Sequence, residues 1–218
     1  MEEKEFWKPN VNLIWITPNC EEQIELAYRN CYQSSPAKTI SERREFIKAR
    51  IKMGELSPLE FATATFKVEG SRVYTHQQVR HRIASYAQES QRYVQLKDPS
   101  QFIVPPEIQE NPQALSIFLG IMNETFNAYF SLLRLGIKKE NARYLLPQAV
   151  KSKIFVSMNF RAWRHFLKLR CDKRAHWEIR EVAQQILKIL YQEAPSVFGD
   201  LYQKFILQEK IELWTERD

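Results

Sequence analysis

The arginine and histidine side chains of one short segment are of the types that bind anions. Arg80, His81 and Arg82 are consecutive, and seven residues separate Arg82 from Ser90. Arginine binds phosphate through a planar fork of N–H donors and keeps its charge at physiological pH. The hydroxyl group of Ser90 and the backbone N–H groups around it can also donate to a phosphate. The segment therefore predicts a binding site for a phosphorylated ligand.

These cations are expected on a helix over about residues 71–85, which would begin after Gly70. On a helix, Gln77 and Arg80 share a face. The Arg80-His81-Arg82 triplet instead spreads over roughly 200° at ~100° per residue. Such a spread of cations suits a site where two ligands or two subunits meet. The alternative is a surface helix whose arginines are solvated.

The positive charge of the chain is concentrated in one window. The whole chain has a net charge of +6, but residues 143–174 carry +8 and the remainder carries −2. A local positive field indicates an anionic partner, and a solvated basic helix face is the alternative. The basic residues of this window are Arg143, Lys151, Lys153, Arg161, Arg164, Lys168, Arg170, Lys173 and Arg174.

A nucleic-acid-binding module is a competing hypothesis for the same window. Phe160, Trp163, Phe166 and Trp177 could stack on bases beside the cations. The spacing of these aromatic residues is also that of the apolar face of a helix, which favours packing in a core. The composition of the window leaves a nucleotide, a nucleic acid and a phosphorylated cofactor open as the anionic partner.

Glycine and cysteine content excludes several kinds of site. The five glycines include no two within ten residues of each other, so neither a Rossmann fingerprint nor a Walker A loop is present. Cys20, Cys31 and Cys171 lack the spacing of a zinc site or a disulfide framework, and no metal is expected. The phosphates of a bound nucleotide would have to be held by side chains and helix ends.

Length and composition are those of a globular protein. The 218 residues, 44% of them hydrophobic, suffice for a buried core. No apolar run approaches the ~18–20 residues of a membrane helix. The charged first five residues lack the apolar region of a secretory signal. These features predict a cytoplasmic protein that does not associate with membranes.

The periodicity of apolar residues predicts the elements that position these side chains. Strands are expected at residues 11–17, 61–69, 93–94 and 102–104, and helices between Asn19 and Ser34 and at residues 41–53, 71–85, 114–135, 142–146, 157–169, 176–192 and 198–207. Asn19 is the expected N-cap of the first helix, in a capping box with Glu22. Gly54 and Gly136 are expected to follow helix ends.

These elements predict one α+β domain over residues 1–218. Its sheet, mixed or antiparallel, is expected in the N-terminal half. The C-terminal half is expected to be largely helical.

Several motifs along the chain resemble those of the flavin-dependent thymidylate synthases. The order and spacing of the motifs fit over roughly residues 10–205, and separate motifs in the right order are more specific than an isolated Arg-His-Arg. The motifs are Arg80-His81-Arg82 with Ser90, Arg92-Tyr93, residues 142–147, Asn159 with Arg161, residues 166–170 and residues 175–180.

The resemblance implies a reaction, a set of cofactors and an assembly. Members of this family make dTMP from dUMP, with the methylene group from 5,10-methylenetetrahydrofolate and reducing power from NADPH through FAD. They are homotetramers whose sites lie at subunit interfaces. Their fold combines α and β structure with a substantial helical portion.

The resemblance also implies which residues bind each ligand. The residues expected to bind dUMP are Gln77, Gln78, Val79, Arg80, Gln88, Glu89, Ser90, Gln91, Arg92, Arg143 and Arg170. Those expected to bind FAD are Ser57, Arg80, His81, Arg82, Gln88, Asn159, Arg161 and His165. The folate-binding residues are not identified.

Arg170 is the expected catalytic residue, placed against the pyrimidine ring. An arginine cannot act as a general base, because its pKa exceeds about 12. It can stabilise negative charge on N3 and O2 of uracil, which makes C5 more nucleophilic. The alternative is a surface salt bridge from Arg170 to Asp172 or Glu178. The neighbouring Cys171 is expected to be a buried thiol and not a nucleophile.

Four positions depart from the usual family residues: Glu55, Phe61, Gln88 and His165. Glu55 and Phe61 stand where histidine is common, Gln88 replaces a frequent glutamate and His165 a frequent asparagine. These departures bear on individual flavin contacts more than on the reaction. A separate hypothesis is a relative that binds FAD but has lost catalysis.

Overall fold

Residues 63–71 form a strand because small and apolar side chains alternate with polar ones. Ala64, Phe66 and Val68 are completely buried, as is Ala62 just before the strand. Between them, Thr65 and Lys67 lie on the more exposed face. Alternation with a period of two residues places one face of a strand in a core. This buried face of the predicted 61–69 strand is confirmed, although residues 57–61 form a 3₁₀ turn.

The structure is a computed structural model that describes residues 7–98 and 100–208. The strands are β1 Asn10–Ile16, β2 Thr63–Ser71, β3 Ser85–Gln88 and β4 Lys151–Asn159. The helices are α1 Cys20–Tyr32, α2 Ile40–Lys52, α3 Arg72–Gln78, α4 Pro106–Gln109, α5 Pro112–Arg134, α6 Lys139–Ala142, α7 Phe160–Arg170, α8 Trp177–Glu193 and α9 Pro195–Tyr202. Short 3₁₀ turns occur at Ser57–Phe61 and Arg143–Leu145, and a π turn at Gln203–Leu207.

The strands form one antiparallel sheet in the order β1-β2-β4-β3, and the fold is α+β as predicted. One of the two central strands, β4, comes from the C-terminal half of the chain. The prediction of a sheet confined to the N-terminal half is therefore wrong. Strand pairing joins segments that are distant in sequence, which local periodicity does not reveal. Within the described residues, no helix is both long enough and apolar enough to cross a membrane.

The chain divides into two compact units. The first unit has described residues 7–10, 68–80 and 87–154 (residue 99 excepted), and the second has residues 11–67, 81–86 and 155–208. In the first unit, α5 packs through Met122 and Phe126 against Phe102, Val104 and Val150. This helix confirms the predicted one at residues 114–135.

The core of the second unit is built on α7 and α8. Phe160, Trp163 and Phe166 of α7 are fully buried. The indole N–H of Trp163 donates to the carbonyl oxygen of Ala64 at 3.0 Å, and the ring meets Phe66 edge to face at a centroid distance of 5.2 Å. This burial confirms that the aromatic residues of α7 pack in a core. Phe160, Trp163 and Phe166 are therefore not available to stack on bases.

The predicted helix ends at Gly54 and Gly136 are confirmed, whereas the predicted capping box at Asn19 is not. Gly54 and Gly136 both have a φ of +84°, the conformation that ends α2 and α5. Asn19 precedes α1 but is itself left-handed, with a φ of 50°, and its side chain accepts no capping hydrogen bond. The predicted capping box is therefore wrong. The true one joins Thr39 and Glu42 at the start of α2.

The helix predicted over residues 71–85 is mostly wrong. Strand β2 continues through Gly70 to Ser71, whose hydroxyl caps α3 by accepting from the N–H of Tyr74 at 3.1 Å. Helix α3 then ends at Gln78, and residues 85–88 form strand β3 of the sheet. The Arg80-His81-Arg82 triplet lies in the turn between these elements, so no helical spread of cations exists.

Three other predictions need correction. The strand predicted at Tyr93-Val94 is a turn, and residues 102 and 103 make only isolated bridges to Val150 and Trp7. The helix predicted at residues 157–169 begins three residues later, because Ser157 to Asn159 end β4. The predicted helix at 142–146 is divided between the last residue of α6 and a 3₁₀ turn.

Candidate functional site

The first unit contains most of the residues expected to bind dUMP. Helix α3 carries Gln77 and Gln78, and the turn after it carries Val79 and Arg80. Gln78 is fully buried and accepts from the hydroxyl of Tyr74 at 3.1 Å. Arg80 is exposed. The end of α3 thus combines a fixed buried amide with a cation that can reach a ligand.

Gln88 is held by two hydroxyl groups of the first unit. Its side-chain N–H groups donate to Thr75 at 3.0 Å and to Ser152 at 3.1 Å. The next residue, Glu89, donates its backbone N–H to the carbonyl of Lys153 at 2.8 Å. These bonds fix the start of the segment that leads to Ser90.

Residues 90–94 form a turn around Ser90. Its carbonyl accepts from the N–H groups of Tyr93 and Val94, and its hydroxyl accepts from the N–H of Arg92 at 3.3 Å. The adjacent Gln91 lines a small cavity of about 30 Å³. That volume is far below the ~300 Å³ at which small-molecule pockets begin. The turn therefore presents donors at a surface and not in a deep pocket.

Arg92 and Arg143 are brought together by one residue, Glu140. The carboxylate of Glu140 accepts from Arg92 Nε at 2.9 Å, and its backbone carbonyl accepts from Arg143 Nε at 3.1 Å. Both contacts use Nε. Residues of two motifs that are distant in sequence thus contact the same residue, Glu140.

Arg72 is a candidate that the sequence analysis missed. Burial lowers the pKa of this half-buried guanidinium, and the nearby charge of Arg143 lowers it further. The pKa of His76 is also lowered, by burial first and then by Arg72 and Arg80. These mutual repulsions indicate a concentration of positive charge that an anion would relieve. Arg72 lies outside the motifs, so no pattern in the sequence marked it.

The second unit contains Arg170, the expected catalytic residue, at the last position of α7. Its Nε donates to Nε2 of His81 at 2.9 Å. The hydroxyl of Tyr86 donates to the backbone carbonyl of His81 at 2.7 Å, which fixes the turn. Of the two alternative salt-bridge partners of Arg170, Asp172 instead pairs with Arg174 at 2.8 Å, and the pairing with Glu178 stays a prediction.

His81 is neutral at physiological pH. Burial lowers its pKa to about 4, with further contributions from Arg170 and His165. The imidazole lies edge to face against Phe166 at 4.9 Å and near His165 at 6.3 Å. A neutral ring can accept a hydrogen bond at Nε2, so it orients Arg170 without adding a like charge.

The residues at the start of α7 form a second group. The side-chain oxygen of Asn159 caps the helix by accepting from the N–H of Ala162 at 2.8 Å, which leaves its amide donors available. Arg161 pairs with Glu60 at 2.7 Å, and both side chains are about half exposed. His165 and Arg82 are exposed. Asn159 and Arg161 at the start of α7 therefore present an amide and a guanidinium as donors.

Ser57 and Arg161 line one pocket of about 280 Å³, which also includes Cys31 and Glu55. The carboxylate of Glu55 accepts from the hydroxyl of Tyr32 at 3.0 Å and from Arg50 at 3.4 Å. The sequence analysis treated Glu55 only as a departure from the family. In the structure it fixes one wall of the pocket.

Comparison with known proteins identifies the family. A family model described as thymidylate synthase complementing protein matches residues 12–196. A protein of Geobacter sulfurreducens named flavin-dependent thymidylate synthase is 39% identical over 87% of this chain and 85% of its own length. The chain belongs to this family. Its proposed site residues can therefore be tested against a flavin and a nucleotide.

Two further relatives bear the same name. The protein of Clostridium tetani is 39% identical over 86% of this chain and 84% of its own length. That of Pyrococcus abyssi is 50% identical over 62% of this chain and 57% of its own length. The similarity thus extends over most of the chain.

The side chains of the second unit fit a flavin dinucleotide chemically. Arg82, Arg161, the Asn159 amide and His165 supply donors for phosphate and for ring carbonyl groups. No group of three or more His, Cys, Asp or Glu that could hold a metal occurs among the described residues. Of the residues expected to contact FAD, Arg80 and Gln88 belong to the first unit and the others to the second.

The basic window of residues 143–174 is not a continuous basic surface. Arg164 is buried and pairs with Asp200, and Lys151 is nearly buried against Glu69 at 2.6 Å. Three other cations of the window contact partners of their own. The pairs are Arg161 with Glu60, Arg174 with Asp172 and Arg170 with His81. Trp177, the remaining aromatic of the nucleic-acid hypothesis, is half-buried. This arrangement disfavours nucleic-acid binding.

Proposed function

We propose that this chain is a flavin-dependent thymidylate synthase that converts dUMP to dTMP. The family match over residues 12–196 is the observation that carries the proposal. The arrangement of Arg170 on neutral His81 supports it, because a fixed guanidinium is what polarisation of uracil requires. The methylene donor is 5,10-methylenetetrahydrofolate and the reductant is NADPH.

Arg170 provides electrostatic stabilisation in this proposal. Its guanidinium stabilises negative charge on N3 and O2 of the uracil ring, which makes C5 more nucleophilic. One such donor is commonly worth about 3 kcal/mol of transition-state stabilisation. FAD, when bound, supplies the hydride chemistry. Cys171 is fully buried, so its thiol takes no part.

The phosphate of dUMP is held by the cations of the first unit. Arg80, Arg92 and Arg143 bind it, with Arg72 close enough to Arg143 to contribute charge. Gln77, Gln78, Val79, Gln88, Glu89, Ser90 and Gln91 complete the dUMP site. The rigid contacts of Gln88 with Thr75 and Ser152 support a role in positioning rather than in charge neutralisation.

FAD is held by Ser57, Arg80, His81, Arg82, Gln88, Asn159, Arg161 and His165. The shared pocket of Ser57 and Arg161 supports this part of the proposal. Residues 1–218 form one functional domain, and the protein is a homotetramer with sites at subunit interfaces, as the resemblance to the family implies. Light scattering of the FAD-saturated protein measures the assembly. The cytoplasmic location stays a prediction.

The visible spectrum and a tritium-release assay test the function. The purified protein is expected to be yellow, or to become so with FAD, and to bleach when NADPH and dUMP are added. Release of tritium from [5-³H]dUMP is expected only when NADPH and methylenetetrahydrofolate are both present. A colourless protein that gains no flavin would overturn the proposal. Flavin binding without tritium release would favour the relative that has lost catalysis.

A further inference from the structure

The second unit contains a large cleft that is separate from the residues expected to bind dUMP and FAD. Its volume is about 760 Å³, within the range of sites for small molecules. Helices α2, α7 and α9 contribute to its walls. The charged residues that line it are Arg44, Lys48, Lys52, Arg164, Lys168 and Asp200.

The cleft is basic even after its internal ion pairs are considered. Arg44 pairs with Glu21 at 2.9 Å and Lys48 with Glu45 at 2.9 Å, while Lys52 and Lys168 are exposed. Burial raises the pKa of Asp200, but the hydrogen bonds and charge of Arg164, helped by Lys168, outweigh burial and leave the pKa lowered. The charges of Lys52 and Lys168, which add to these three ion pairs on the cleft wall, favour an anionic ligand.

Arg164 is a fixed charge in this wall. The residue is only 3% exposed. It donates to both carboxylate oxygens of Asp200, at 2.7 and 2.6 Å. Its Nε has no hydrogen-bond partner among the described residues. Because the side chain of Asp200 is 55% exposed, water weakens its neutralisation of the buried guanidinium. A second anion would therefore be stabilised here.

An aromatic pair lies beside these charges. Tyr191 and Tyr202 both line the cleft, and their rings stack with centroids 4.1 Å apart and planes inclined by 12°. The pair offers a flat, rigid apolar surface of the kind on which a nucleobase stacks. Cations and a planar aromatic surface together match a phosphorylated nucleoside.

The cleft adjoins the pocket of Ser57 and Arg161. Gly54 and Leu56 line both cavities. A ligand that occupies the cleft and extends past these two residues reaches the pocket expected to contact FAD. The ligand of the cleft is therefore expected to have a second end that lies beside the flavin.

We propose that this cleft binds the phosphorylated adenosine half of NADPH, with the adenine near the stacked tyrosines and the phosphates near Lys52 and Lys168. The inference rests on the proposed function, in which NADPH is the reductant. The remaining anionic cosubstrate of that function is the folate. Its negative charges are carboxylates, and it lacks the phosphorylated adenosine that the tyrosines and lysines together fit.

Binding of 2′,5′-ADP, the isolated phosphorylated adenosine fragment, tests this inference. The full-length protein saturated with FAD is titrated calorimetrically as wild type, as the double variant Lys52→Glu/Lys168→Glu, and as the control Lys188→Glu. Lys188 is exposed on α8 and does not line the cleft. The double variant is expected to bind 2′,5′-ADP and NADP⁺ at least about tenfold more weakly, because two attractive charges become repulsive. The control is expected to bind like the wild type.

Two outcomes overturn the inference. One is equal affinity of the wild type and the double variant for 2′,5′-ADP. The other is a double variant that loses affinity for methylenetetrahydrofolate while its affinity for 2′,5′-ADP is unchanged, because the cleft would then bind folate carboxylates.

Wild-type enzyme reduced with dithionite, which needs no NADPH, separates this inference from the proposed function. Formation of dTMP in that assay supports the proposed function, whatever the cleft binds. Its absence overturns that function, while the 2′,5′-ADP titration still decides what the cleft binds.

Discussion

The cations of the two units are held in different ways. In the first unit, Arg72 and Arg143 repel each other, and Arg80 is exposed. In the second unit, the Nε of Arg170 is fixed by a neutral imidazole. A ligand must supply the missing negative charge in the first case, whereas the geometry is set in advance in the second. Binding and catalysis are therefore expected to separate under mutation.

Replacing Arg170 gives the largest expected effect. In Arg170→Ala the turnover rate should fall by about 100- to 1000-fold, because one pre-oriented donor to developing charge is lost. The measurement is tritium release from [5-³H]dUMP at saturating substrates. Flavin absorbance should remain.

Arg174→Ala is the matched control, since Arg174 is exposed and pairs with Asp172. Its turnover should be that of the wild type. Unchanged turnover in Arg170→Ala would show that the guanidinium has no role in the chemistry.

Replacing Arg72 tests whether the cations of the first unit contribute to substrate binding and not to catalysis. Arg72→Met should raise the KM for dUMP by about tenfold, which corresponds to about 1.4 kcal/mol of lost charge interaction, and leave kcat nearly unchanged. The effect should shrink as salt concentration increases. Arg134→Met, an exposed arginine on α5, should change neither constant. A fall in kcat with constant KM would place Arg72 in catalysis instead.

The pH dependence of stability tests the state of His81. Its folded pKa of about 4 lies below the ordinary 6.5, so the unfolded chain binds the proton more readily. The contribution of neutral His81 to stability is therefore full above pH 6.5 and declines as the pH falls toward 4. Thermal unfolding midpoints measured across this range should fall less steeply in His81→Asn than in the wild type. Identical slopes would contradict a neutral His81.

The two roles of Asn159 give the smallest expected effects. Asn159→Ala should lower the free energy of unfolding by about 1 kcal/mol, because the cap of α7 is lost. Asn159→Asp keeps an oxygen for the cap but removes the amide donors, so stability should be retained while FAD binds several-fold more weakly. Chemical denaturation and flavin titration measure the two quantities. Equal FAD affinity in Asn159→Asp and the wild type would leave the residue with a structural role alone.

Local sequence signals predicted the helices better than the sheet. The helix predicted at residues 114–135, which is α5 in the structure, has an apolar stripe and a terminal glycine. Both signals depend only on residues that are close in sequence. Residues 151–159 also alternate, with Ile154, Val156 and Met158 buried. Lys151 and Lys153 at the start of this run were interpreted as part of a basic window, which obscured the strand. A cation within a strand, such as Lys151, can be buried when a carboxylate such as that of Glu69 pairs with it.

The motifs named candidate site residues but did not predict their conformation. Arg170 was expected to act on a ligand, but its contact with His81 depends on a turn that no helical periodicity describes. Arg72 was missed because it lies outside the motif and is marked only by proximity to Arg143. Contacts of this kind arise from the tertiary fold, so spacing along the chain cannot supply them.

The unequal exposure of the three thiols has a practical consequence. Cys20 and Cys171 are buried, and burial raises the pKa of Cys20 to about 11, whereas Cys31 is exposed on the wall of the pocket that contains Ser57. A maleimide dye should therefore label the natural protein at Cys31 alone. The label would report occupancy of that pocket by a change in fluorescence, without any engineered cysteine.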